Sequence, residues 1–128
     1  MLSFLYPINE VEKMKTMLIA AGSEIITDIL SQVFQSKYCV YTCDRGDDAL
    51  QMLQELKPDI LIINLFLSNM TGLEVLQQTQ YTPPVILALT YFVSDQIVEE
   101  VQAAGVGALI RLPCTLDCIK RNIEKMIS

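Results

Sequence analysis

The stretch Pro58–Leu76, PDILIINLFLSNMTGLEVL, decides the fold. Pro58 cannot continue a helix, so it closes the one before it. Ile60–Ile63 is a continuous apolar run, the pattern of a strand covered on both faces. The run ends on a neutral amide, Asn64, and the chain then turns through Ser68-Asn69-Met70-Thr71-Gly72. Thr71, with Glu74 three residues later, is a capping box that opens a helix. A helix stop, a buried strand, a loop and a capped helix follow one another within one short segment.

The same alternation extends to both sides. Strand patterns occupy Thr16–Ala21, Tyr38–Cys43, Ile60–Asn64, Val85–Thr90 and Ala108–Arg111. Between them, apolar residues recur at three- and four-residue spacing, the mark of helices with one buried face. Ile25, Ile26, Ile29, Leu30, Val33 and Phe34 follow Ser23, a good N-cap. Ala49, Leu50, Leu53 and Leu56 run up to Lys57-Pro58. Ile97, Val98, Val101 and Ala104 stop at Gly105. Leu116, Ile119, Ile123 and Met126 or Ile127 follow Thr115, another capping residue. Five such alternations predict an α/β fold, a (βα)5 doubly wound five-stranded parallel sheet with helices on both faces. Ligands and chemistry in such sheets collect at the carboxyl ends of the strands. Those ends are Ala20–Ser23, Asn64–Phe66, Thr90–Phe92 and Arg111–Pro113.

Length and composition set the outer limits. A chain of 128 residues, about half of them apolar, buries a full core as a single domain. Met14 opens MKTMLIA directly before the first strand, so 14–128 is expected to form the domain. Residues 1–13 are expected to be a mobile extension, the product of an upstream start codon, or a short partner-binding arm. MLSFLYP is too short to span a bilayer and has no basic leader. The net charge of −6 disfavours nucleic-acid binding by this domain alone, because phosphate contacts require a basic surface. Charge is uneven: Ser94–Ala104 carries Asp95, Glu99 and Glu100 without a base, whereas Arg111, Lys120, Arg121 and Lys125 outnumber the acids near the end.

Cys39, Cys43, Cys114 and Cys118 lack the C-x-x-C spacing of zinc or redox sites, and the chain has no histidine. The cysteines read as small apolar filler, with Cys39 and Cys43 in the core. Reduced thiols suit a cytoplasmic protein. No nucleophile with an adjacent base stands at the strand ends, so no enzyme is expected, and no cofactor or metal.

Thr16–Ile127 resembles the receiver domain of bacterial response regulators. PDILIINLFLSNMTGLEVL carries the family's Pro-Asp start, apolar strand, glycine loop and Leu-Glu-Val-Leu helix. PPVILALT is similar to its fourth strand, and AAGVGALIRLP to its fifth strand and following proline. The resemblance implies a flavodoxin-like sheet of strand order 2-1-3-4-5. It also implies a site of two acids, a phosphoacceptor aspartate, a hydroxyl and a lysine, which together bind Mg²⁺ and a phosphoryl group. On this chain the two acids fall on Ala21 and Gly22, the acceptor on Asn64, the hydroxyl on Thr90 and the lysine on Leu112. Only the hydroxyl remains. The aromatic switch position of the family falls on Leu109, and its cis peptide on Leu112–Pro113.

Mg²⁺ requires hard oxygen ligands, usually with carboxylate among them. An amide is no nucleophile toward a phosphoryl donor, whereas a carboxylate is. The resemblance therefore points to a degenerate pseudo-receiver that works through protein contacts without phosphorylation. A homodimer through the fourth helix, fifth strand and fifth helix is expected, with Asp95, Glu99 and Glu100 facing Arg111, Lys120 and Arg121. The segment LPCTLDCIKRNI is similar to receivers that precede a DNA-binding domain, including the sporulation-regulator type, so an output domain beyond Ser128 is one expectation. The alternative is a small-ligand or nucleotide-binding module that uses the vacated pocket through Gly22-Ser23, Asn64 and Thr90.

Overall fold

The structure is a computed structural model that describes residues 14–128; the expectations for 1–13 lie outside the described residues. Strands β1 (Thr16–Ala20), β2 (Cys39–Cys43), β3 (Ile60–Asn64), β4 (Val85–Thr90) and β5 (Ala108–Arg111) alternate with five helices. These are α1 (Glu24–Phe34), α2 (Gly46–Leu56), α3 (Gly72–Gln78), α4 (Asp95–Ala103) and α5 (Leu116–Ile127). All strand pairs are parallel, in the order β2-β1-β3-β4-β5. The order reverses between β1 and β3, which sets their carboxyl ends, Ala20 and Asn64, at the topological switch point.

The continuous apolar strands are explained by two cores. Successive side chains point to opposite faces of a strand. Leu18, Leu61, Ile63 and Ile86 meet Leu53, Val75 and Val101 of α2, α3 and α4 on one face. Met17, Ile19, Ile62 and Leu87 meet Leu30, Phe34, Ile119 and Ile123 of α1 and α5 on the other. Each buried Leu or Ile contributes about 1.5–3 kcal/mol of transfer free energy, so the central strands dominate stability.

Helix starts follow the sequence closely. The hydroxyls of Ser94 and Thr115 accept from the N–H of Ile97 (3.2 Å) and Cys118 (3.1 Å). Thr71 and Glu74 form the reciprocal capping box at 3.1 Å in both directions. Every helix carries an acid in its first turn: Glu24, Asp47 and Asp48, Glu74, Asp95 and Asp117. Helix α2 ends on Lys57 in the left-handed region (φ 48°), directly before Pro58.

Three details differ from the sequence reading. The first strand stops at Ala20 and the second starts at Cys39, because the Tyr38 N–H is held by the Phe34 carbonyl at 3.0 Å as α1 unwinds. The second strand is an edge strand, and Tyr41 and Thr42 are exposed. Consequently Cys39 and Cys43 are half-buried at the margin of the core rather than inside it. Burial, reinforced by the carboxylates of Asp48 and Asp44, still pushes the Cys43 thiol up to about 12.

Candidate functional site

At the switch point, the side chain of Asn64 is buried and joins two loops. Its Nδ2 donates to the Ala21 carbonyl at 3.1 Å, and its Oδ1 accepts from the Phe66 N–H at 2.8 Å. The first bond crosses from the end of β3 to the β1–α1 turn. The second folds the β3–α3 loop back on itself. One side chain therefore uses a donor and an acceptor at the same time, which an amide offers and an ionised carboxylate does not.

The neighbouring positions are closed as well. Gly22 has φ +75°, where L side chains are strained. A Cβ at Gly22 would lie 3.2 Å from Leu67 Cδ2 and 3.9 Å from Asn64 Nδ2. Leu67 is itself buried, so an apolar side chain fills the space beside the first-strand turn. Leu67 was not singled out by the sequence; its signal was an apolar residue continuing past the strand end in NLFLS.

Thr90, fully buried, spends its hydroxyl locally. Its Oγ1 donates to the Phe92 carbonyl at 2.9 Å and accepts from the Phe92 N–H at 3.2 Å. Phe92 and Tyr91 are turned outward, 61% and 56% exposed. Leu112 is tied to Thr90 by its backbone, N–H to carbonyl at 2.7 Å, and its side chain packs on the α1–α5 core. The Leu112–Pro113 peptide is cis. Leu109 belongs to the opposite face, where it lines a shallow groove with Val98, Val101 and Arg111.

Ala21, Gly22 and Asn64 are thus brought together, with Thr90 and Leu112 linked to each other on the adjoining strands. The donor set does not fit Mg²⁺. It contains no carboxylate, and Asn64 has both polar atoms engaged. Among the described residues, no cluster of three or more His, Cys, Asp or Glu could share a metal ion. No buried side-chain nitrogen or oxygen there lacks a hydrogen-bond partner. Cys114 and Cys118 are close enough to interact, and burial, with the Cys118 thiol adding to it, raises the pKa of Cys114.

The charged groups expected at a dimer contact are exposed except for Glu100, which is half-buried. Asp95, Glu99 and Glu100 lie on α4, Arg111 at the end of β5, and Lys120 and Arg121 on α5. Arg121 is engaged within its own helix, its Nε 3.0 Å from Asp117 Oδ2. Glu100 accepts from Gln96 at 3.0 Å.

Asn64, Ala21 and Gly22 stand at the β1–β3 switch point of a doubly wound parallel sheet, where ligands and chemistry collect in such folds. The profile of the response regulator receiver domain matches residues 17–124, and the chain belongs to that family. It is a receiver domain of two-component signalling, a family that works through protein partners. The transcriptional regulatory protein YdfI of Bacillus subtilis is 29% identical over 70 residues, covering 53% of this chain and 33% of that protein. The response regulator protein VraR of Staphylococcus aureus is 36% identical over 67 residues, covering 51% and 32%. The chain therefore spans about a third of the length of these curated relatives. Among solved structures, the chemotaxis response regulator CheY4 of Vibrio cholerae superposes with a TM-score of 0.78 at 26% identity, over 89% of this chain and 99% of that one. A DNA-binding response regulator of the LuxR family from Staphylococcus aureus gives 0.78 at 20% identity, over 90% and 100%, a likeness of fold.

Proposed function

We propose that this receiver signals through protein–protein contact without being phosphorylated, as a degenerate pseudo-receiver. The observation that carries the proposal is the commitment of Asn64. Its amide stitches the β1–α1 and β3–α3 loops together, so the acceptor position holds a structural staple in place of a free nucleophile. Loss of the carboxylates removes the metal, and loss of the lysine removes the cation that would steady a phosphoryl group. The neutral replacements are mutually consistent. A single missing acid would leave an unpaired buried charge costing about 3–5 kcal/mol, whereas here the positions of the three acids and the lysine are all uncharged.

The partner is protein, in the cytoplasm, and the chain acts as a non-catalytic module. A homodimer through α4, β5 and α5 is part of the proposal, with the acids of α4 in one copy facing Arg111 and Lys120 of the other. Relatives described as transcriptional and DNA-binding regulators support a role as the regulatory part of a longer transcription factor, of which the sporulation-regulator type is one form. Among the described residues, no helix is long and apolar enough to cross a membrane.

Titration with Mg²⁺ and beryllofluoride, followed by amide NMR, tests the central claim. No shifts are expected at Asn64, Thr90 or Leu112. Saturable shifts at those three amides would restore a conventional phosphorylated receiver.

A further inference from the structure

The α1–α5 face carries a feature that the proposed function does not use. An apolar cavity of about 290 Å³ opens between the N-terminal halves of the two helices. Its walls include Ile26 and Ile29 of α1, Tyr91 beyond β4, Leu112, and Leu116 of α5. Among the described residues nothing covers the rim: next to it Ile25 is 72% exposed, and Ile29 and Leu116 are 41% and 40% exposed. Contiguous exposed apolar surface on a small domain marks a docking site.

We infer that the occupant of this cavity is the chain's own segment Met1–Tyr6. Residues 1–13 read MLSFLYPINEVEK, with Met1, Leu2, Phe4, Leu5 and Tyr6 gathered at the start and no charged side chain before Glu10. A tail that is to remain in water is normally rich in charge and poor in aromatics. Its first nine residues have the reverse composition, and the described part of the same chain leaves an apolar cavity open.

The lengths agree. The described chain begins at Met14, two residues before β1, which lies between β2 and β3 in the sheet. The cavity opens at the other end of the strands, so the length of β1 puts the separation at no less than roughly 17 Å, five residues at ~3.3 Å each. Eight residues connect Tyr6 to Met14, enough extended chain to span about 26–29 Å. Phe4, Leu5 and Tyr6 therefore reach the cavity, and Ile8–Lys13 form the tether. Val11, three residues from Met14, spans at most ~11 Å and falls short. Pro7 favours an extended Tyr6, as such a path needs. Tethering makes the contact intramolecular, so even a weak one is populated at a high effective concentration. Any partner that uses the α1–α5 face must then displace Phe4–Tyr6.

The test uses the full chain. Phe4 is replaced by the photo-crosslinking residue p-benzoylphenylalanine, and tagged and untagged copies are mixed before irradiation. The expected result is an adduct within one copy, mapped by mass spectrometry to Ile25–Leu30 or Leu112–Ile119. No adduct, an adduct elsewhere, or one that joins two copies overturns the inference. A second measurement compares methyl NMR spectra of the full chain with and without Phe4→Asp and Leu5→Asp. Shifts are expected at Ile29 and Leu116, with Val98 and Leu109 on the opposite face unmoved. Unchanged Ile29 and Leu116 methyls, or equal shifts on both faces, count against it. Neither readout depends on whether Asn64 can be bypassed by a phosphoryl donor.

Discussion

Asn64 shows how a single side chain changes what a strand end can do. Its two bonds, to Ala21 and Phe66, occupy one donor and one acceptor. Asn64→Asp keeps the acceptor and turns the donor into a second negative oxygen facing the Ala21 carbonyl. The variant is expected to lose about 2–4 kcal/mol at pH 7, from a buried charge without a partner and a lost hydrogen bond. Burial raises the pKa of the new carboxyl above its unfolded value, so its penalty is largest above that folded pKa and shrinks as pH falls. Urea unfolding at pH 7 and pH 4 measures this, and an equal loss at both values would refute the account. That β3 ends on an amide and not on a carboxylate was legible in the sequence, because residue type alone decides it. The bonds Asn64 makes instead were not, since they depend on where the Ala21 carbonyl and the Phe66 N–H come to lie. Leu67 was hidden for the same reason: its place against Gly22 is fixed by a loop, and loops carry no period.

The helices and strands were read more completely, because their cues are local. Helix α3 is only seven residues long and carries both halves of a capping box. So short a helix has little propagation to offset its nucleation cost and leans on its cap. Thr71→Ala is expected to cost about 1 kcal/mol, a fall of roughly 3–5 °C in thermal midpoint for a domain of this size. Calorimetry checks it, and an unchanged midpoint would show that packing of Val75 and Leu76 alone holds α3. Strand β2 was read less well. Its apolar content resembles that of the central strands, but nothing within Tyr38–Cys43 reveals that only one neighbour pairs with it. Edge position is a property of the sheet, so Cys39 and Cys43 ended half-buried where core was expected.

At the scale of the whole molecule, charge separates the α4 acids from the bases of β5 and α5. If the proposed two-fold contact forms there, Glu99 and Glu100 of one copy meet Arg111 and Lys120 of the other. Exposed pairs contribute about 0–1 kcal/mol each, so the dimer is expected to be weak and sensitive to salt. Raising salt from about 0.05 to 0.5 M shortens the screening length severalfold. Light scattering should show the dimer fraction falling over that range, and Lys120→Glu lowering it further, with Glu99→Lys recovering it. A monomer at every salt concentration would remove this contact from the proposal. The first-turn acids bear on the opposite question, of what approaches the carboxyl edge. In a doubly wound sheet all five helices begin at that edge, each presenting about half a positive charge. Here Glu24, Asp47, Asp48, Glu74, Asp95 and Asp117 stand over those termini. Asp47 and Asp48 are paired with Arg45, and Asp117 with Arg121, which leaves Glu24, Glu74 and Asp95 without a basic partner among the described residues. The field of the unpaired acids, Glu24, Glu74 and Asp95, is expected to favour an approaching surface with a basic face over an anionic one, most strongly at low salt.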